Sequence, residues 1–242
     1  MIESADGRVS LGRNLTYGVL DSLGRAIVTG HFDKRVFPTE ADLAKQYDVS
    51  RSVIREAVKM LTAKGLLSAR PRQGTIIQPG SSWNLFDTDV LRWLLERQFS
   101  IDLLKQFNQL RVAIEPEAAA LAARFGDDRD LALISAGLAR MEAAEEGNDD
   151  PLEADIDFHV SILRASGNPF YLQFRDVVAT ALRTSIRFTN RIKGHTASIP
   201  EHGAVRDAIL ARDPDGARQA MRSLIGDVLH LIDESEAATR SS

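Results

Sequence analysis

The sequence predicts a mainly α chain in two parts: a small basic domain of short helices closed by a two-stranded hairpin, then an all-helical bundle. Three observations carry this. Charge divides the chain, because residues 1–80 hold 12 Lys+Arg against 8 Asp+Glu, whereas residues 81–242 hold 18 against 26. Beyond residue 100 the apolar residues recur at helical spacing, with almost no strand-like alternation. The stretch from Ser68 to Ile77 reads instead as two short strands around a basic, glycine-bearing tip, and it lies at the end of the basic part. With 242 residues and 44% hydrophobic content, the chain is long and apolar enough for two ordinary cores.

Within the basic part, Thr39 can cap a helix whose early acidic residues, Glu40 and Asp42, favour the positive end of its dipole, with Leu43 and Ala44 turned inward. Asp48-Val49-Ser50 breaks that helix. Val49 turns into the core, and Ser50 caps a second helix in which Val53, Ile54, Ala57, Val58 and Leu61 recur at helical spacing. Arg51 and Arg55, at i and i+4, share the opposite face near the helix start, the part of a recognition helix that enters the DNA major groove. The guanidinium fork suits guanine edges and phosphates, while a solvated charged face on a bundle helix is the plainer reading of two arginines alone. The second helix ends at Gly65, and the Arg70-Pro71-Arg72 tip that follows can contact phosphate and the adjacent minor groove.

The run "FPTEADLAKQYDVSRSVIREAVKMLTAKGLL" and the wing "RQGT" resemble the winged helix-turn-helix of GntR-type bacterial regulators, over residues 15–79. The resemblance implies that Arg51, Ser52, Val53 and Arg55 face DNA from the recognition helix, and Gln73 and Gly74 from the wing tip. It places a DNA-binding domain at 10–79. One position departs: Ala41 stands where fatty-acid-responsive members carry an arginine.

Residues 80–100 read as a linker and connecting helix. Gln78-Pro79-Gly80-Ser81-Ser82 is a breaker cluster, after which "WNLFDTDVLRWLLE" is densely apolar. Asp87 and Asp89 fit helix caps better than metal ligands, and the two tryptophans fit packing better than cofactor contact. The same segment is similar to one in galactonate-responsive members of the family. From 101 to 236, breakers near Gly126-Asp127-Asp128, Gly147 to Asp150, Gly167-Asn168-Pro169, Gly194 and Asp213-Pro214 divide the chain into about six or seven helices of one bundle. Such a bundle behind such a reader resembles the effector-binding (FCD) domain of the FadR-type branch.

Inside the bundle, Asp150-Pro151 opens a helix whose buried stripe is Leu152, Ile156, Val160 and Leu163. Asp155 and His159, at i and i+4 beside that stripe, can share a divalent metal, although a helical salt bridge or hydrogen bond also explains the pair. His202 falls in register with Val205 and Ile209, so it too points inward. The resemblance implies Asp155, His159 and His202 as ligands of a divalent ion: zinc first, nickel or manganese as alternatives. Many members supply a further histidine at a position that here is Leu224. Arg111 matches an arginine that the family directs into its effector cavity. Arg183, Arg187 and Asn190 are further polar candidates for gripping an acid, by bidentate carboxylate binding in the case of the arginines. The plainer reading pairs these arginines with surface carboxylates.

Absences narrow the classes. Without cysteine there is no disulfide framework, thiolate nucleophile or cysteine-ligated zinc. No apolar run approaches the ~18 residues of a membrane span, no secretory core opens the chain, and no phosphate-cradling loop, dinucleotide fingerprint or nucleophile elbow occurs. The expectation is a cytoplasmic, homodimeric regulator, a repressor of a sugar-acid operon. It binds double-stranded operator DNA and is released by an aldonate or uronate held in a metal-containing pocket. The rival expectation is a metal-dependent enzyme acting on a small acid, with a DNA-binding appendage.

Overall fold

A computed structural model describes residues 5–32, 36–70, 74–97, 101–183 and 198–240. The chain forms two compact units, Met1–Phe99 and Ser100–Ser242. In the first, helix α1 (Ala5–Val28) packs on α3 (Arg51–Ala63), which follows the short α2 (Glu40–Gln46). The caps are those the side chains favour: Thr39 Oγ1 accepts from the Asp42 amide at 3.2 Å, and Ser50 Oγ from the Val53 amide at 3.4 Å. Asp48, at φ 51°, makes the left-handed step between α2 and α3. Leu20, Leu23, Leu43, Ile54, Leu61 and Leu66 fill the core, with Val49 half-buried against it.

Helix α3 stops by a paired-carbonyl cap. The Leu66 amide returns to the Leu61 carbonyl at 3.0 Å and the Gly65 amide to the Thr62 carbonyl at 3.0 Å, with Gly65 at φ +80°. A Cβ on Gly65 would also lie 2.2 Å from the Ser82 carbonyl oxygen, so conformation and space both require glycine. Strands β1 (Leu67–Arg70) and β2 (Gly74–Ile77) then pair antiparallel, from Leu67 opposite Ile77 to Arg70 opposite Gly74. The stretch read as linker and connecting helix holds a short 3-10 turn (Gly80–Ser82) and helix α4 (Thr88–Arg97), which packs on α1. Asp87 Oδ1 caps α4 through the Asp89 and Val90 amides, and both aspartates pair with Lys64, at 2.7 and 2.9 Å. Trp93, fully buried, lies against Gly24, where any Cβ would meet the indole at 2.2 Å, and its Nε1–H donates to Asp21.

The second unit is all helical among the described residues. Its helices are α5 (Ile101–Phe125), α6 (Asp128–Glu145), α7 (Pro151–Ala165), α8 (Pro169–Leu172), α9 (described over 175–183), α10 (Ile199–Leu210) and α11 (Pro214–Arg240). Asp127, Asp150 and Asn168 cap α6, α7 and α8. The breaker read at Gly194 lies outside the described residues. Helix α5 packs on α11 and α7, α6 on α7, and α10 on α11, α6 and α5. Alanines 118, 119, 122 and 123 give α5 a smooth buried face. Gly137 lets α6 close on α7, since a Cβ there would lie 2.9 Å from the Phe158 Cα. This tight crossing faces the stretch of α7 that carries the buried polar residues.

Candidate functional site

Helix α7 buries Ala154, Asp155, Ile156, Phe158, His159, Ile162 and Leu163, so the carboxylate and imidazole read at i and i+4 sit inside the bundle, each 2% exposed. Helix α10 buries His202 with Val205 and Ile209, also at 2%. The three side chains meet. One ligand atom from each lies within 4.8 Å of the others. Asp155 Oδ1 is 2.9 Å from His202 Nε2 and 3.7 Å from His159 Nε2, and the two imidazole centroids are 5.4 Å apart with nearly perpendicular planes.

Each ring's other nitrogen is taken. His202 Nδ1 lies 2.7 Å from the Ser198 carbonyl and His159 Nδ1 lies 2.5 Å from Glu115 Oε2. A carbonyl and an ionised carboxylate can only accept, so Nδ1 carries a proton in each ring, and in the neutral form of either ring Nε2 turns a lone pair toward Asp155. Asp155 Oδ1 and His202 Nε2 make no hydrogen bond despite their approach. Two buried acceptors facing each other would be costly, and either a proton on His202 Nε2 or a cation held between them resolves the approach. One carboxylate and two lone-pair imidazoles, each oriented from behind, fit a divalent ion.

Arg111, on α5, is buried beside this cluster at 4% exposure. Its Nε donates to Glu115 Oε1 at 2.6 Å, its Nη1 to Asn108 Oδ1 at 3.3 Å, and its Nη2 lies 3.4 Å from Glu115 Oε2 and beside the His159 ring, 3.4 Å from Nδ1 and 3.3 Å from Nε2. Burial alone would raise the Glu115 carboxyl, but the charges of Arg111 and His159 and their hydrogen bonds outweigh it and hold the group at about 2. For Asp155 burial also pushes up, and the contact with His202 and the charges of His159, His202 and Arg111 push further down, below the usual carboxylate range. Glu115 received no role from the sequence. Its signal was the Arg-x-x-x-Glu spacing on an otherwise apolar helix face.

The remaining expected effector residues are placed differently. Arg183 is 44% exposed and pairs with Glu153 at 2.9 Å. Arg187 and Asn190 lie outside the described residues. Leu224 is buried in the bundle core, and His230 is exposed beside Glu234. In the first unit, Arg51 and Ser52 are exposed at the start of α3, and Ser52 Oγ lies 2.8 Å from the capping Ser50 Oγ. Arg55 is 62% exposed, with a long 3.4 Å contact to Glu40 across the turn. Val53 is half-buried against the core. Gly74 is exposed at φ +79°, opening β2, and Gln73 lies outside the described residues.

Comparison with known proteins gives two matches along the chain: "Bacterial regulatory proteins, gntR family" over residues 15–77 and "FCD domain" over 106–227. The Escherichia coli HTH-type transcriptional regulator YieP is 33% identical over 216 residues, covering 88% of this chain and 93% of the relative. The galactonate operon transcriptional repressor of the same organism is 33% identical over 226 residues, covering 91% and 98%. The solved structure of the Listeria monocytogenes protein Lar matches with a TM-score of 0.62 at 18% identity, over 90% of this chain and 96% of that one, a likeness of fold. These relatives are regulators of transcription and not enzymes.

Proposed function

The chain belongs to the GntR family of bacterial transcriptional regulators and carries an FCD domain, and from that premise we propose that it is a repressor released from its operator by a small carboxylate bound beside a metal ion. The observation that carries the sensor half is the buried trio Asp155, His159 and His202, in which both Nε2 atoms converge on one carboxylate. These three residues would hold a divalent ion, zinc first and nickel or manganese as alternatives. With three protein ligands and Leu224 in place of a further histidine, coordination positions stay open for the acid, and the ion supplies positive charge to it. Arg111, the buried cation of the cluster, holds the carboxylate of the effector by hydrogen bonds from its fork. The effector class we favour is an aldonate or uronate, supported by the 33% identity to a galactonate operon repressor.

In the reader half, Arg51, Ser52 and Arg55 on the outer face of α3 enter the major groove with Val53 at its inner edge, and Gln73 and Gly74 approach the backbone from the hairpin tip. One such head touches few base pairs. Two heads in a homodimer on a twofold-symmetric operator supply the missing contacts. The effector lowers DNA affinity by binding better to an arrangement of the heads that the operator does not accept. DNA is a cytoplasmic target here, and no described helix is long and apolar enough to cross a membrane.

The test is fluorescence anisotropy of the full chain on DNA from upstream of its own gene, at fixed salt, with a panel of aldonates and uronates. Specific binding released by one acid is the expected result. Specific binding that no acid alters removes the sugar-acid reading, and binding with no preference over random DNA removes that operator.

A further inference from the structure

We propose that Glu115 is a positioning residue of the sensor: its carboxylate fixes the proton of His159 on Nδ1, so that Nε2 faces Asp155 and His202 as a ligand, while the same carboxylate holds Arg111. The inference rests on the reading of those three residues as metal ligands and goes beyond it by assigning a residue on a different helix, 44 positions from His159.

Three observations carry it. Glu115 is 1% exposed; Oε1 meets Arg111 Nε at 2.6 Å, and Oε2, with a long 3.4 Å contact to Arg111 Nη2, lies 2.5 Å from His159 Nδ1. A buried carboxylate with a single counter-ion would be satisfied by Arg111 alone. Here the second oxygen makes its short contact with the ring nitrogen that points away from Asp155. Second, an imidazole has two tautomers, and only one leaves Nε2 bare. A carboxylate accepts and never donates, so it selects that tautomer, as a side-chain amide, which can present either N–H or C=O, does not. Third, His202 shows the same logic with a different partner, its Nδ1 bonded to the Ser198 carbonyl. Both rings are thus oriented from behind by acceptors. Such outer partners tune metal affinity by roughly 10- to 100-fold.

Arg111 gives the arrangement its second consequence. Its Nη2 lies 3.4 Å from His159 Nδ1 and 3.3 Å from Nε2, so the guanidinium sits beside the ring rather than along the Nε2 lone pair. Glu115, bonded to both, holds the guanidinium and the imidazole in register.

The experiment compares wild type with Glu115→Gln and Glu115→Asp in the full chain. Zinc affinity is read by competition with a chromophoric chelator, and the His159 tautomer by nitrogen-15 NMR of the metal-free protein. Wild type is expected to show the Nδ1–H tautomer. Glu115→Gln should populate the other tautomer and lose about 10- to 100-fold in zinc affinity. Glu115→Asp, still an acceptor only, should recover part of both. A residue that merely neutralised Arg111 would leave the tautomer unmoved. Equal zinc affinity and an unchanged tautomer in Glu115→Gln would overturn the inference while the metal reading stands. An Nε2–H tautomer in wild type would overturn it even if neither variant folds. A wild type that takes up no zinc, nickel or manganese would instead remove the metal reading beneath it.

Discussion

His202 and His159 are each held at Nδ1 by an acceptor, the Ser198 carbonyl in one case and Glu115 in the other, and this leaves their Nε2 atoms to Asp155. Removing one imidazole removes a ligand and also frees a buried acceptor. His202→Ala should therefore drop bound metal from near-stoichiometric to a small fraction in elemental analysis, with circular dichroism unchanged. Retained stoichiometric metal would mean that the trio is not the site. Asp155, His159 and His202 were legible because each is tied to a local apolar stripe: helical period alone turns them inward. Glu115 was not. Its decisive partner is 44 residues away, and no periodicity reports a contact across helices. The pairing of Arg183 with Glu153, 30 residues apart, escaped in the same way.

At the scale of elements, caps were the readable part. Thr39, Ser50, Asp127 and Asp150 each bond a first-turn amide, because a short oxygen-bearing side chain at that place satisfies an otherwise orphaned donor. Helix α1 was harder to read, since a long helix with a weakly amphipathic sequence announces itself only through what packs on it. The packing of α4 on α1 through Trp93 and Gly24 was equally hidden: a glycine kept clear for an indole 69 residues away leaves no local trace. The end of α3 offers a sharp test. Gly65→Ala adds left-handed strain of about 1–2 kcal/mol to a Cβ placed 2.2 Å from the Ser82 carbonyl. It should lower the urea midpoint of the N-terminal unit, as followed by Trp83 and Trp93 fluorescence. An unchanged midpoint would mean that the loop yields freely.

For the whole molecule the division of charge is the governing fact, 12 Lys+Arg against 8 Asp+Glu up to residue 80 and 18 against 26 after it. Only the first part suits a phosphate backbone, so operator affinity should fall log-linearly with salt. If Arg55 meets a phosphate, Arg55→Ala should shrink that slope by about 1. If it reads a base instead, the slope should hold while discrimination at one position relaxes. In either case acid binding by the bundle should be untouched, and an operator affinity that does not change would place the contact surface elsewhere. Lys64, at the end of α3, grips both Asp87 and Asp89 at the start of α4, and α4 is seated on α1 by Trp93. The helix bearing Arg51 and Arg55 is thus riveted to the helix by which the chain leaves the unit. A shift of α4 that kept these contacts would carry the arginines with it, as a crank carries its shaft.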